Sequence, residues 1–323
     1  MKYSYLLSLF FVISLPLILA AQTVMIDNIP RDTSYTLYSA YKKIEKHHPE
    51  VAFVTGNVPK EMCELNNIVY KTVVQDSNMR RNLKLSIFKP SKGKKHPTVM
   101  MIHGGGWSSG SPDMLKMLAV HLAEKGFATI TVEYRLSPEA LYPVAVEDLQ
   151  DAVDWIYNNE KTYCFNKNKI AVLGCSAGGQ LALLIGAKNK GKRIKAVINV
   201  DGSSNFVVEE TIQRGEKARL DGGKMPVDAL WLGGTYSEKV QNWEEASPVY
   251  WVNSNTPPIF FICSSIPRFH NGRDEFIKKL HLFETYSEIY TFENSPHSFW
   301  LFSPWHNPTV EKIVDFLKNI LSK

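Results

Sequence analysis

The sequence predicts an α/β fold with a mostly parallel central sheet flanked by helices. Three observations carry this reading. From Asn67 onward, short apolar runs alternate with segments of helical spacing, the pattern of successive β-α-β units. Residues 98–103 form a continuous apolar run that ends in glycines, and residues 170–174 form another. The chain has 323 residues, 44% hydrophobic and 21% charged, which is ordinary globular composition with enough apolar matter for a large core.

In chain order, residues 69–74 and 83–88 read as an opening pair of strands. The apolar run 98–103 follows. Residues 113–125 have helical spacing, with Ser111 and Pro112 ahead of them as start signals. Residues 127–134 are the next strand, 146–158 a helix and 170–174 a strand. Residues 177–187 follow at once as a helix rich in small residues. Strands at 194–201, 258–263 and 288–292 complete the sheet, and 309–321 closes the chain as a helix. Two stretches fit the alternation poorly. Residues 22–66 precede the sheet as an N-terminal arm, either wrapped around the body or capping one end of it. Residues 202–247 separate two sheet strands by far more than a usual connection. Insertions of that length are commonly lids or binding loops, so this one is expected to help form a pocket within the main domain, residues 67–323.

Residues 1–21 read as a signal peptide. Lys2 supplies a short basic start, residues 6–19 are apolar apart from Ser8, Ser14 and Pro16, and Ala20 and Ala21 are small residues for cleavage. Export to a periplasmic or extracellular location is expected, with no membrane attachment after cleavage; an uncleaved N-terminal anchor is the alternative. The formal net charge of +5 is spread along the chain. Its densest basic clusters, 92–95 and 188–195, lack interleaved aromatic residues and read as solvated loops, so no nucleic-acid partner is expected. The four cysteines show no C-x-x-C spacing, so no metal site is expected. Cys175 and Cys263 read as small buried hydrophobes. A Cys63–Cys164 bridge is open to an exported chain, although nothing in the sequence demands it.

The chemistry is concentrated in three motifs. Gly174-Cys175-Ser176-Ala177-Gly178 matches the G-x-S-x-G nucleophile elbow, and it falls between the strand 170–174 and the helix 177–187, where a sharp turn would expose Ser176. The competing reading is a glycine-rich turn with an incidental serine. His103-Gly104-Gly105-Gly106-Trp107 directly follows an apolar strand. Glycines there let backbone N–H groups face a cavity, so Gly105, Gly106 and Ala177 are the expected oxyanion-hole donors. A phosphate-cradling loop is disfavoured because no Lys-Ser/Thr follows the glycines. A base is expected late in the chain, in the order serine, acid, histidine. His297 lies just beyond the last strand. His306 is its competitor, and its surroundings resemble the lead-in to the final helix.

The acid is the irregular element. It is expected in a Gly-x-x-Asp turn about four residues beyond the strand 258–263, but Ser264 to Phe269 contains no carboxylate. Asp274 is the first carboxylate after it and is assigned as the triad acid, although an aspartate there also suits a helix N-terminus. Asp201, ending the preceding strand, is the alternative. Glu275 is a weaker option, and a backbone carbonyl orienting His297 is another. His270 falls in the same loop region.

Residues 103–107, Tyr134-Arg135-Leu136-Ser137-Pro138, Tyr142-Pro143 with Asp148, residues 174–179, and Ala246-Ser247-Pro248 ahead of Pro257-Pro258 recur in a familiar order. Over roughly residues 67–322 the chain resembles the α/β-hydrolase esterases related to hormone-sensitive lipase. It is more similar still to the bacterial acetyl xylan and feruloyl esterases. Residues 29–33, 265–274 and 296–300 resemble a subgroup of exported esterases linked to plant polysaccharide breakdown. The resemblance implies a serine esterase that deacetylates an acetylated oligo- or polysaccharide of xylan or pectin type, with no metal or cofactor. It also implies a structural role for Asp148. A feruloyl or general carboxylesterase and a non-catalytic binding protein of the same fold are the alternatives. One or two of Trp107, Trp231, Trp251, Trp300 and Trp305 are expected to offer sugar-stacking faces.

Overall fold

In the computed structural model, residues 23–26, 28–74, 80–93 and 95–322 are described. The segment 1–21, read from the sequence as a signal peptide, therefore lies outside the described residues. An eight-stranded sheet runs through the protein, built from β1 (Met62–Val74), β2 (Arg80–Pro90), β3 (His96–Ile102), β4 (Ala128–Val132), β5 (Phe165–Cys175), β6 (Ile194–Val200), β7 (Ile259–Cys263) and β8 (Ser287–Thr291). Their spatial order is β1-β2-β4-β3-β5-β6-β7-β8. β1 and β2 pair antiparallel, as do β2 and β4, and every pairing from β4 to β8 is parallel. This is the expected mostly parallel sheet, with the opening hairpin longer than its apolar stretches suggest. β1 starts at Met62, inside the region read as the arm. Met62 to Leu65 are only half-buried and are followed by the polar, exposed Asn66 and Asn67, so hydropathy alone does not mark its start.

Alternate residues of the central strands feed two cores. Ile170 and Val172 of β5 join one, and Ala171, Leu173 and Cys175 join the other. Both faces are covered, which is why these strands are apolar throughout. On the first face lie the helices Val144–Asn158 and Ala177–Lys188, through Leu149, Ala152, Leu181 and Leu184. On the second lie Lys116–Glu124 and the closing helix His306–Leu321, through Leu118, Leu122, Ile313 and Leu317.

The arm is ordered by its own contacts. A hairpin pairs Thr23–Ile26 with Ile29–Asp32. The helix Leu37–Ile44 begins with a capping box between Thr36 and Ser39. Phe53 pairs antiparallel with Phe302, and Tyr41 stacks on Phe53 with ring centroids 4.4 Å apart. The 202–247 insertion contains three helices, Glu209–Leu220, Val227–Leu232 and Val240–Ala246. All four cysteines are free thiols, so no Cys63–Cys164 bridge forms; Cys175 and Cys263 are buried. Among the described residues, no helix is long and apolar enough to cross a membrane.

Candidate active site

Ser176 sits at the tip between β5 and the helix Ala177–Lys188, with φ 55° and ψ −122°. A side-chain-bearing residue rarely adopts this conformation, and holding it costs about 1–3 kcal/mol. The surrounding glycines make the turn possible. A Cβ on Gly174 would lie 1.9 Å from the Gly178 carbonyl oxygen, and one on Gly178 would lie 2.2 Å from the Ile102 carbonyl oxygen. Strand, helix and β3 thus approach more closely than any side chain permits. The Ser176 amide donates to the Val200 carbonyl at 2.8 Å, tying the elbow to the end of β6.

Ser176 Oγ lies 2.8 Å from His297 Nε2, and His297 Nδ1 lies 2.6 Å from Asp201 Oδ2. The tautomer that fits both contacts carries its proton on Nδ1, which donates to Asp201, and leaves Nε2 to accept from the serine hydroxyl. The His297 ring stacks on Phe269, with centroids 3.6 Å apart and planes 10° apart, and meets Trp300 edge-on. Its loop is also held by the arm, since Tyr35 Oη is 2.7 Å from Ser298 Oγ.

The assignment of Asp274 as the acid is corrected here. Asp274 lies in the first turn of the helix Arg273–His281, is largely exposed, and pairs with Arg273 at 2.8 Å. Glu275 occupies the same first turn. The carboxylate on His297 is Asp201, immediately after β6, with φ 56°. β6 and β7 are neighbours, so the ends of both open onto the same place. The position after β7 is used differently: the Ser264 amide donates to Asp201 Oδ1 at 2.8 Å.

Asp201 is buried, which by itself raises its carboxyl pKa, but contacts from His270, His297 and the Ser264 amide hold it down at about 2. His270 Nε2 lies 3.3 Å from Asp201 Oδ1 without the alignment of a hydrogen bond. Burial pulls His270 down, but Asp201 and Cys263 outweigh it and raise the imidazole from 6.5 to about 9. A histidine raised on folding contributes stability that is complete below its unfolded pKa and is lost as pH rises through its folded one. Thermal stability is therefore expected to fall between about pH 6.5 and about pH 9. After a discount for solvent screening at this half-buried ring, the loss from this contact should be on the order of 1–2 kcal/mol. Melting curves of wild type and His270→Gln across that window check it: the variant should show a flatter decline, and an unchanged decline would remove His270 as its source.

His306 is elsewhere. Its Nδ1 lies 2.7 Å from the Trp300 carbonyl and its Nε2 lies 2.8 Å from His121, and burial pulls it down to about 4. His103 is also a scaffold group, pulled down to about 4 by burial, with Nδ1 2.8 Å from the Gly104 carbonyl and its ring stacked on Tyr134. Gly104 packs directly on the elbow, where a Cβ would fall 2.9 Å from Ser176 Cβ. Gly106 (φ 59°) and Ala177 line a cavity together with Ser176. Gly105 (φ 124°) lies one residue behind, its carbonyl accepting from the Ser108 and Ser109 amides. Among the described residues, the amides of Gly105, Gly106 and Ala177 have no carbonyl partner outside regular elements.

The cavity measures about 510 Å³. Much of its wall comes from the 202–247 insertion, including Phe206, Met225, Pro226 and Val227. Trp107 is the one of the five singled-out tryptophans that lines it. It stacks on Trp231 at 4.9 Å and donates to Gln180 Oε1 at 2.9 Å. Trp231, Trp300 and Trp305 are buried core residues, and Trp251 is covered by Lys188 at 4.0 Å. These four do not provide open stacking faces in the cavity, because large aromatic rings contribute most when buried. Asp148 is buried away from the triad, bound by Lys71 at 2.7 Å and by Arg135 at 2.7 and 2.8 Å.

Comparisons with known proteins agree with this architecture. The chain is similar to an AB hydrolase superfamily protein of Schizosaccharomyces pombe, 27% identical over 217 residues, which covers 62% of this chain and 62% of that protein. It therefore spans less than two thirds of that relative's length. It is similar to "Probable carboxylesterase 5" of Arabidopsis thaliana, 26% identical over 306 residues, which covers 83% of this chain and 90% of that one. Among solved structures, the "Truncated form of carbohydrate esterase from gut microbiota" superposes with a TM-score of 0.64 at 16% identity, over 84% of this chain and 100% of that one. At that identity the likeness is one of fold. The BD-FAE family model matches residues 85–268, more than half of the chain and the region that carries Ser176 and Asp201. The chain belongs to the BD-FAE family of α/β hydrolases.

Proposed function

We propose that this protein is an exported serine carboxylic ester hydrolase that removes acetyl groups from plant cell-wall polysaccharide of xylan or pectin type. The observation that carries the reading is the continuous hydrogen-bonded chain from Ser176 through His297 to Asp201, with its serine facing a cavity. The motif resemblance and the carbohydrate esterase of like fold support the polysaccharide substrate. The sequence pattern of residues 1–21 supports export.

The reaction follows from the residues. Ser176 Oγ attacks the ester carbonyl carbon while His297 Nε2 takes its proton. Asp201 stays ionised and stabilises the imidazolium. The carbonyl oxygen becomes an oxyanion, met by amides of Ala177, Gly106 and Gly105. Collapse of the tetrahedral intermediate breaks the bond to the alcohol oxygen, which receives the proton from His297 and leaves. Water, deprotonated by His297, then attacks the acyl-serine, and the acid departs with Ser176 regenerated.

The cavity of about 510 Å³ exceeds what an acetyl group needs, and this favours feruloyl ester hydrolysis as the second reading. Acetate and ferulate release from acetylated xylan, acetylated pectin and feruloylated arabinoxylan separates the two. Acetate release well above ferulate release is expected. Preferential ferulate release would transfer the function to the second reading. No release from any of these, nor from a small acetyl ester, would leave a binding protein instead.

A further inference from the structure

Five charged groups line the cavity that Ser176 faces: Asp201, Arg214, Lys224, Asp228 and Arg268. Three of them are committed. Asp201 is bound to His297. Asp228, buried in the wall, is paired with Arg214. Lys224 and Arg268 are left. They come from different parts of the chain, Lys224 from the turn between two insertion helices and Arg268 from the loop after β7. Both are exposed, and among the described residues neither has a carboxylate within ion-pair distance. Arg268 is placed by packing: its guanidinium lies 4.7 Å from the centroid of Phe269, the ring that stacks on His297. A cation held against an aromatic face keeps its N–H fork free for an incoming oxyanion, and arginine matches a carboxylate bidentately.

Two uncommitted cations thus share the cavity with Ser176, and among the described residues the carboxylates that line it are already engaged, Asp201 with His297 and Asp228 with Arg214. We propose that Lys224 and Arg268 form a subsite for a carboxylate carried on the alcohol part of the ester, so that the preferred substrates are acetylated glycans containing uronic acid residues. This rests on the ester-hydrolase reading of Ser176. It goes beyond that reading by assigning a chemical class to the sugar and two residues to its recognition. The effect on each contact is bounded by solvent, since ion pairs between exposed groups are weak and screened by salt.

The test compares kcat/KM for an acetylated uronic-acid-containing oligosaccharide with that for the same oligosaccharide after its carboxyl groups are reduced to alcohols. The wild type should favour the acidic form by about three- to tenfold at low ionic strength. Raising salt to about 0.5 M should shrink that ratio toward one, because screening then acts within a few ångströms. The double variant Lys224→Gln/Arg268→Gln should bring the ratio to about one at low salt. A wild-type ratio of one, with both oligosaccharides turned over, would overturn the subsite and leave the esterase reading intact. A ratio that persists in the double variant, or that ignores salt, would also overturn it. Turnover of neither oligosaccharide, and of no small acetyl ester, would overturn the esterase reading and the subsite with it. The salt series needs no variant, so the test survives any folding defect in the double substitution.

Discussion

Ser176→Ala is expected to lower kcat on any accepted ester by about five to six orders of magnitude, while the protein stays folded. The serine oxygen forms the new bond, and it is the hydroxyl that lies 2.8 Å from His297 Nε2. A residual rate about a thousandfold above water is expected to remain, because the amides of Ala177 and the glycine loop would still meet an oxyanion. The fold should tolerate the change. Ser176 is an elbow residue whose strain lies in its backbone, at φ 55°, and alanine bears the same strain with one atom fewer. The measurement is turnover of a small acetyl ester by the purified variant, alongside its melting temperature. Retention of more than about a tenth of wild-type kcat would sink the assignment of Ser176 as nucleophile.

Asp201→Asn is expected to lower kcat by about four orders of magnitude, and Asp274→Asn to leave it within about twofold. Asp201 receives the Nδ1 proton of His297 at 2.6 Å and so holds the tautomer that lets Nε2 accept from Ser176. An asparagine can present N–H to His297 and favour the opposite tautomer, in which Nε2 no longer accepts. Asp274 has no such partner, since it sits exposed against Arg273. The same carboxylate carries a pH signature. Its carboxyl lies near 2 when folded and 3.8 ordinarily, so its contribution to stability is present above about pH 3.8 and is lost as pH falls through about 2. Acid melting curves of Asp201→Asn should lack that part of the loss. Comparable small kinetic losses in both variants would mean that neither carboxylate orients His297.

Much of this arrangement is legible in the sequence because it is local. An elbow serine needs glycines two residues either side, and Gly174 and Gly178 are each within contact of backbone atoms that exclude any Cβ. The core strands read as apolar runs because both faces of the sheet are covered. The glycine loop after β3 announces itself by composition, and His297 by its place after the last strand. The acid is not local in this way. Asp201 and Asp274 are both aspartates at element boundaries, and both fit a rule: one ends a strand, the other starts a helix. The clue available in the sequence is that Asp201 directly follows an apolar strand, at the carboxyl end where sites of such sheets gather, while the expected turn after β7 has no carboxylate.

The N-terminal arm divides along the same line. Its polar composition marks it as separate from the sheet, but it does not foretell that Tyr35 would reach Ser298 beside His297. Nor does it foretell that Phe53 would pair with Phe302 at the other end of the chain. The 202–247 insertion is visible as an excess of length, whereas the cationic pair at the cavity arises from two segments more than forty residues apart in number.

Read alone, the sequence suffices for the fold class and for placing Ser176, the glycine loop and His297 as candidates, because short-range sterics and periodicity specify them. Only the tertiary structure decided the acid, the arm's hold on the His297 loop and the company Lys224 and Arg268 keep. Those depend on which strand ends lie side by side, and adjacency across a sheet is set by the packing of the whole chain rather than by any window of it.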